Sequence, residues 1–129
     1  MTPDKRSTLL GRLTAASFTL NAILHTAGYS TATNMAGGDA DLRAMVAVLW
    51  LAFGAGAISL ALIALASARA PRPSRRNVYL LAAIFPLATS ILMLSFMGYM
   101  FPVALLGITG ALAIATGVTS PASDVTTHA

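Results

Sequence analysis

The sequence predicts an all-α integral membrane protein, a bundle of four transmembrane helices, and three observations predict it. Hydrophobic residues make up 57% of the 129 and charged residues only 9%, against an apolar share of ~45–50% in soluble domains. Two long stretches, Ala44–Ala68 and Asn77–Ser123, carry no charge. Between them Arg69, Arg72, Arg75 and Arg76 fall within eight positions. A water-soluble surface needs its charge spread out, whereas charge confined to short knots marks where lipid gives way to water. At this length the whole chain, residues 1–129, reads as a single membrane domain.

A bilayer-spanning helix needs about 20 mainly apolar residues. The first span is expected over about 9–29, with Arg12 at its entrance and a possible earlier start at Thr2-Pro3-Asp4, which has the order of an N-cap, a first-turn proline and an acid. The positive residues Lys5, Arg6 and Arg12 followed by Leu13–Leu24 also resemble a signal peptide with Ser30-Thr31-Ala32 as its cleavage site. Asn21 and His25 interrupt that apolar region, so a retained helix is the expectation. The second span covers about 44–67 and stops before Arg69 and Pro71. The third covers about 77–96 after the turn-like Pro71-Arg72-Pro73-Ser74, with a kink expected at Pro86. The fourth covers about 101–118, with Pro102 in its first turn and Gly98-Tyr99-Met100 as the tight turn before it. Residues 120–129 read as a disordered polar tail.

Seven of the eight basic residues precede the first span or join the second to the third. With four spans they all fall on one side, which the positive-inside rule makes cytoplasmic together with both termini. The expected location is the bacterial inner (plasma) membrane. Stripes of small residues, Gly54, Ala57, Ala61, Ala64 and Ala68 in the second span and Gly107, Ala111 and Ala115 in the fourth with Gly110, Ala113 and Gly117 beside them, predict close helix packing and offer a homodimer seam.

Composition also excludes chemistries. There is no cysteine, so disulfides and thiolate sites are absent. No glutamate occurs and no carboxylate lies in a span, which removes carboxylate-bridged metal pairs and intramembrane carboxylate relays. One histidine within the spans cannot form a bis-histidine haem site in one chain. No metal and no cofactor is expected. The basic residues bracket apolar runs rather than forming a stripe with aromatics, so the partner is the lipid bilayer and not nucleic acid.

The residues left to carry function centre on the first helix. Thr14, Phe18, Asn21, His25 and Gly28 recur at helical spacing on one face. A polar face of this kind belongs inside the bundle. Two readings stand for it: hydrogen bonds that fix packing, or a binding or catalytic role in which His25 moves a proton. Asp39, Asp41 and Arg43 lie in the following loop, where loop acids mostly make turns and caps. Trp50 reads either as an interfacial belt residue or as an aromatic wall beside His25. Met97 and Tyr99, with Met93, Phe96, Met100 and Phe101, form a soft cluster that suits either core filling or a lipophilic pocket.

The stretch Leu20–Gly28, ending in His25-Thr26-Ala27-Gly28, resembles small uncharacterised bacterial four-span membrane proteins with a His-x-x-Gly at the end of the first helix. They carry an aromatic residue and a Phe-Gly pair in the next helix, here Trp50 and Phe53-Gly54. The resemblance implies four spans and draws attention to His25, and it supplies no reaction.

Three functions are carried forward. The first is binding of a lipophilic small molecule or lipid in an outward-facing pocket formed by Asn21, His25, Trp50, Met97 and Tyr99. The second is a membrane-embedded isomerase, cyclase or hydrolase of an apolar substrate with His25 as its catalytic acid–base. The third is an accessory or scaffold subunit of a larger membrane complex. Binding ranks first, because an enzyme normally needs more than one placed titratable group.

Overall fold

The computed structural model describes residues 3–70 and 72–120, with the side chains of residues 3, 4, 72, 73 and 97 outside the description. Among the described residues it is all-helical: α1 (Pro3–Ala27), α2 (Tyr29–Met35), α3 (Ala40–Ser67), α4 (Arg72–Met97) and α5 (Phe101–Thr119). The tail from residue 121 onward lies outside the described residues.

Boundaries differ from the sequence expectation mainly at helix starts. α1 begins at Pro3 and α4 at Arg72, so the proline of each falls within the first turn, where its missing N–H leaves no intrahelical bond unmade. α3 begins at Ala40, four residues before the charge-free stretch, because Asp39 caps it: its carboxylate accepts from the Leu42 N–H at 2.9 Å. The short α2 was expected as loop. α4 runs helical through Pro86, which is fully buried. The α4–α5 turn sits where expected, with Gly98 at φ +75°, a conformation that disfavours a side chain, and with Pro102 in the first turn of α5.

The four long helices form an antiparallel bundle in which α1 lies between α3 and α5, α4 packs against α5, and a lighter contact between α3 and α4 closes the ring. Each seam has its own chemistry. α1 and α3 meet through small residues: Gly54, Ala57, Ala61 and Ala64 are buried, and Ala15, Phe18 and Ala22 of α1 are buried with them. α4 and α5 meet leucine on glycine. A Cβ on Gly110 would lie 2.5 Å from Leu87, and one on Gly117 would lie 2.9 Å from Leu80. Only a bare backbone lets α5 approach so closely. The α3 stripe is thus consumed inside one chain, whereas on α5 it is Gly110, Ala113 and Gly117 that are buried, with Ala111 exposed and Gly107 and Ala115 only partly covered.

Among the described residues, three helices are long and apolar enough to cross a membrane: Ala40–Ser67, Ser74–Phe96 and Phe101–Thr119. Their outer faces carry Leu49, Leu51, Leu62, Leu81, Ile84, Ile91, Leu92, Ile108 and Val118, all exposed, which is consistent with lipid contact. α1 was expected as a fourth. It has the length, 25 residues, but Arg12, Thr14, Ser17, Thr19, Asn21, His25 and Thr26 lower its apolar character.

Candidate functional site

Along α1 the polar stripe does face inward. Thr14, Phe18 and Asn21 are buried, and His25, one turn on, is only partly covered. The bundle therefore opens at His25.

The buried part of the stripe is satisfied by α5. Thr14 Oγ1 lies 3.0 Å from Thr116 Oγ1. Ser17 Oγ bonds Thr109 Oγ1. Asn21 Nδ2 donates to Thr109 Oγ1 at 2.8 Å and to the Ser17 carbonyl at 2.9 Å. Thr109 in turn donates to the Leu105 carbonyl at 2.8 Å. Asn21 is held as a packing residue, its amide spent on two helices. Thr109 and Thr116 went unnoticed in the sequence, although two threonines seven residues apart on one helix share a face.

His25 has different company. Its ring stacks on Trp50, with centroids 3.9 Å apart and planes 12° from parallel. Phe53 lies against it at 4.3 Å, and Phe85 of α4 continues the row at 5.1 Å from Phe53. His25 Nε2 is sealed from solvent and makes no hydrogen bond of ordinary geometry. A buried polar atom left so costs about 1–3 kcal/mol. Such groups in a folded protein call for an explanation.

Trp50 is committed to more than stacking. Its indole N–H donates to the main-chain carbonyl of His25. α1 ends at Ala27, so this carbonyl is one of the terminal acceptors that helix geometry leaves short of partners. The Gly28 N–H meets the same oxygen at 3.1 Å. A Cβ on Gly28 would lie 3.1 Å from Trp50 Cζ2, so the glycine makes room for the indole. The corner where α1 turns into α2 is thereby pinned to α3 beside His25.

His25, Val46, Leu49, Trp50 and Phe53 line a shallow, open-sided cleft of about 330 Å³. Among the described residues, no titratable side chain other than His25 lines it. Asp39 caps α3, Asp41 is exposed in the first turn of that helix, and Arg43 donates to the Gly37 carbonyl. Among the described residues no group of three or more His, Cys, Asp or Glu side chains could hold a metal.

Of the residues read from the sequence, His25 and Trp50 come together. Asn21 lies one turn deeper and points at α5. Tyr99 sits in the α4–α5 turn, 81% exposed, and does not line the cleft. The side chain of Met97 lies outside the described residues. Phe53 and Phe85 are the aromatic members the site adds. Phe53 shares the face of Trp50 at a spacing of three, whereas nothing in the sequence pairs Phe85 with it.

A second groove, about 490 Å³, is lined by Thr19, Ala22, Ile23, Thr26, Ala27 and Ile58. Its two hydroxyls donate to their own helix, to Ala15 and Ala22 carbonyls at 3.0 and 2.8 Å. It offers a ligand an aliphatic wall and no free polar group.

Comparison with protein-family models, with curated proteins and with solved structures finds no match to this chain.

Proposed function

We propose that this chain is a four-span membrane protein that binds a lipophilic small molecule or lipid in the cleft at the His25 end of the bundle. The observation that carries this reading is His25 itself: a half-covered imidazole at the mouth of the bundle, walled by Trp50 and Phe53. Binding is favoured over acid–base catalysis because no second titratable group lines the cleft.

The fourth span in this reading is α1. Its polar side chains Thr14, Ser17 and Asn21 are spent on α5 and on its own turns, while Leu9, Leu13, Leu20, Ile23 and Leu24 face outward. Lipid would meet mainly the leucines. Lys5, Arg6, Arg12 and the arginines of the α3–α4 connection then gather at the end opposite His25. The positive-inside rule makes that end cytoplasmic, so the cleft opens in the outer half of a bacterial plasma membrane.

Native mass spectrometry of the protein released from nanodiscs tests the binding reading. The wild-type protein is expected to retain a non-covalent small-molecule adduct, and Val46→Phe, which fills the cleft, is expected to lose it. Identical spectra for the two proteins would remove the reading.

A further inference from the structure

Resting on the four-span reading and not on the His25 cleft, we infer that the outer flank of the α1–α3 seam docks an anionic phospholipid of the leaflet at the arginine end. Arg12 and Arg69 hold its phosphate, and an acyl chain lies along the seam toward Ile23 and Ile58.

The seam has two flanks. Trp50 and Phe53 lie on the flank of His25, whereas Thr19 and Ile23 of α1 and Ile58 of α3 line the groove on the other. Arg12 precedes Thr19 by seven residues and Ile23 by eleven, so the helical period sets all three on one face. Arg69 follows Leu65 by four residues and Ile58 by eleven. The chain is still helical there, because Ala68 keeps helical angles and the Arg69 N–H meets the Ala66 carbonyl at 3.1 Å. The two arginines stand at one level, since a Cβ on Gly11 would lie 3.3 Å from the Ala68 Cβ.

No acid answers this charge. Among the described side chains the acids are Asp39 and Asp41, both at the opposite end of α3. Arg75 is buried and engaged with Ser7 and the Ala70 carbonyl. Arg12 and Arg69 are exposed, and among the described residues nothing bonds either guanidinium. The guanidinium fork matches phosphate oxygens, and basic pockets between membrane helices at the cytoplasmic face take anionic lipid heads.

Beyond the arginines the flank suits an acyl chain. Ile23, Ile58 and Leu65 are exposed along it, and the Thr19 and Thr26 hydroxyls donate to their own helix. Eleven helical residues rise about 16 Å, and one leaflet is half of a hydrocarbon core of about 30 Å. A chain whose head rests on the arginines therefore ends in the groove of about 490 Å³. A second copy of this protein fits the flank less well, because in the same orientation it would bring its own arginines to the same level.

Native mass spectrometry from nanodiscs of phosphatidylcholine and phosphatidylglycerol in equal parts tests this. The wild type is expected to retain phosphatidylglycerol in preference. Arg12→Gln/Arg69→Gln should lower that preference about tenfold, and Thr19→Phe, which fills the groove, should lower retention with both arginines in place. Arg6→Gln/Arg76→Gln removes the same charge from another face of α1 and from α4, and should change nothing. Circular dichroism of each variant verifies the helix content. Equal losses in the two double variants would reduce the site to bulk charge attraction and overturn it. Full retention in Thr19→Phe would overturn the groove as the seat of the chain, and a wild-type dimer without lipid would put a second copy there instead. Val46→Phe, which blocks the His25 cleft, should leave this lipid bound. If Val46→Phe released the phosphatidylglycerol and the arginine pair did not, the inference would fall and the binding reading would stand. If Val46→Phe changed no adduct while the arginine pair behaved as expected, the reverse would hold.

Discussion

The two ends of the bundle solve the same problem differently. At the arginine end, polar side chains are buried and partnered. Arg75 donates to Ser7 Oγ at 2.9 Å and to the Ala70 carbonyl at 3.0 Å, and the Tyr79 hydroxyl donates to the Ala64 carbonyl. Tyr79 is fully buried there against Ala15 and Ala64. At the His25 end the rings are larger and coverage is partial. The hairpin of α4 and α5 ends in Phe96, Tyr99 and Phe101, all strongly exposed. A membrane bundle gains little from burying one apolar group in place of another, so its tight contacts come from small residues and from satisfied polar groups. The arginine end has both. The His25 end gives up tight closure.

This contrast predicts a graded response to substitution. The largest loss should follow Tyr79→Ala, which removes a fully buried ring and its bond to α3. Large-to-small changes at such sites cost about 3–5 kcal/mol. Reversible unfolding in mixed detergent micelles would measure it, and a loss below about 1 kcal/mol would mean that the arginine end is not the stable half.

Asn21→Leu should cost about 1 kcal/mol. It deletes two hydrogen bonds, and polar contacts between membrane helices average about 0.6 kcal/mol. Because Ser17 and Thr109 still bond each other, the α1–α5 seam is expected to survive. The same unfolding assay applies, with a neutral result contradicting a packing role for Asn21.

The smallest effect is expected one turn away. His25→Phe keeps a flat ring on Trp50 and removes the unpartnered nitrogen, so stability should change by no more than about 0.5 kcal/mol or rise. If His25→Phe instead destabilised as much as Asn21→Leu, the imidazole would be a structural group and the contrast between the ends would fail.

Much of this arrangement could be read from residue spacing. The stripe Thr14, Phe18, Asn21 and His25 lies on one face of α1. The small residues of α3 do form a seam. What spacing could not give was the partner of each face. Asn21 and His25 share a stripe, yet one meets threonines of α5 and the other meets rings of α3. The α1–α3 connection was expected as loop, and α2 escaped notice because seven residues rich in Ser, Thr and Asn carry turn chemistry as readily as helix. The fourth span was expected on the strength of the leucines of α1. By apolarity that helix stands apart from the other three, because its inward stripe is polar.

The sequence by itself determined that the chain is helical, where charge breaks the apolar runs, and which residues of α1 face inward. Those features are local: hydropathy, charge and a period of 3.6 residues act along one helix and need no knowledge of its neighbours. Only the tertiary structure decided that the small-residue stripe of α3 closes within one chain, and that α5 turns Gly110, Ala113 and Gly117 inward and leaves Ala111 exposed. It also decided that the Asn21 amide N–H groups meet Thr109 and the Ser17 carbonyl, and that His25 is left at an aromatic opening. Those outcomes depend on which helix arrives opposite, at what register and how closely. Periodicity fixes a face and leaves its partner open.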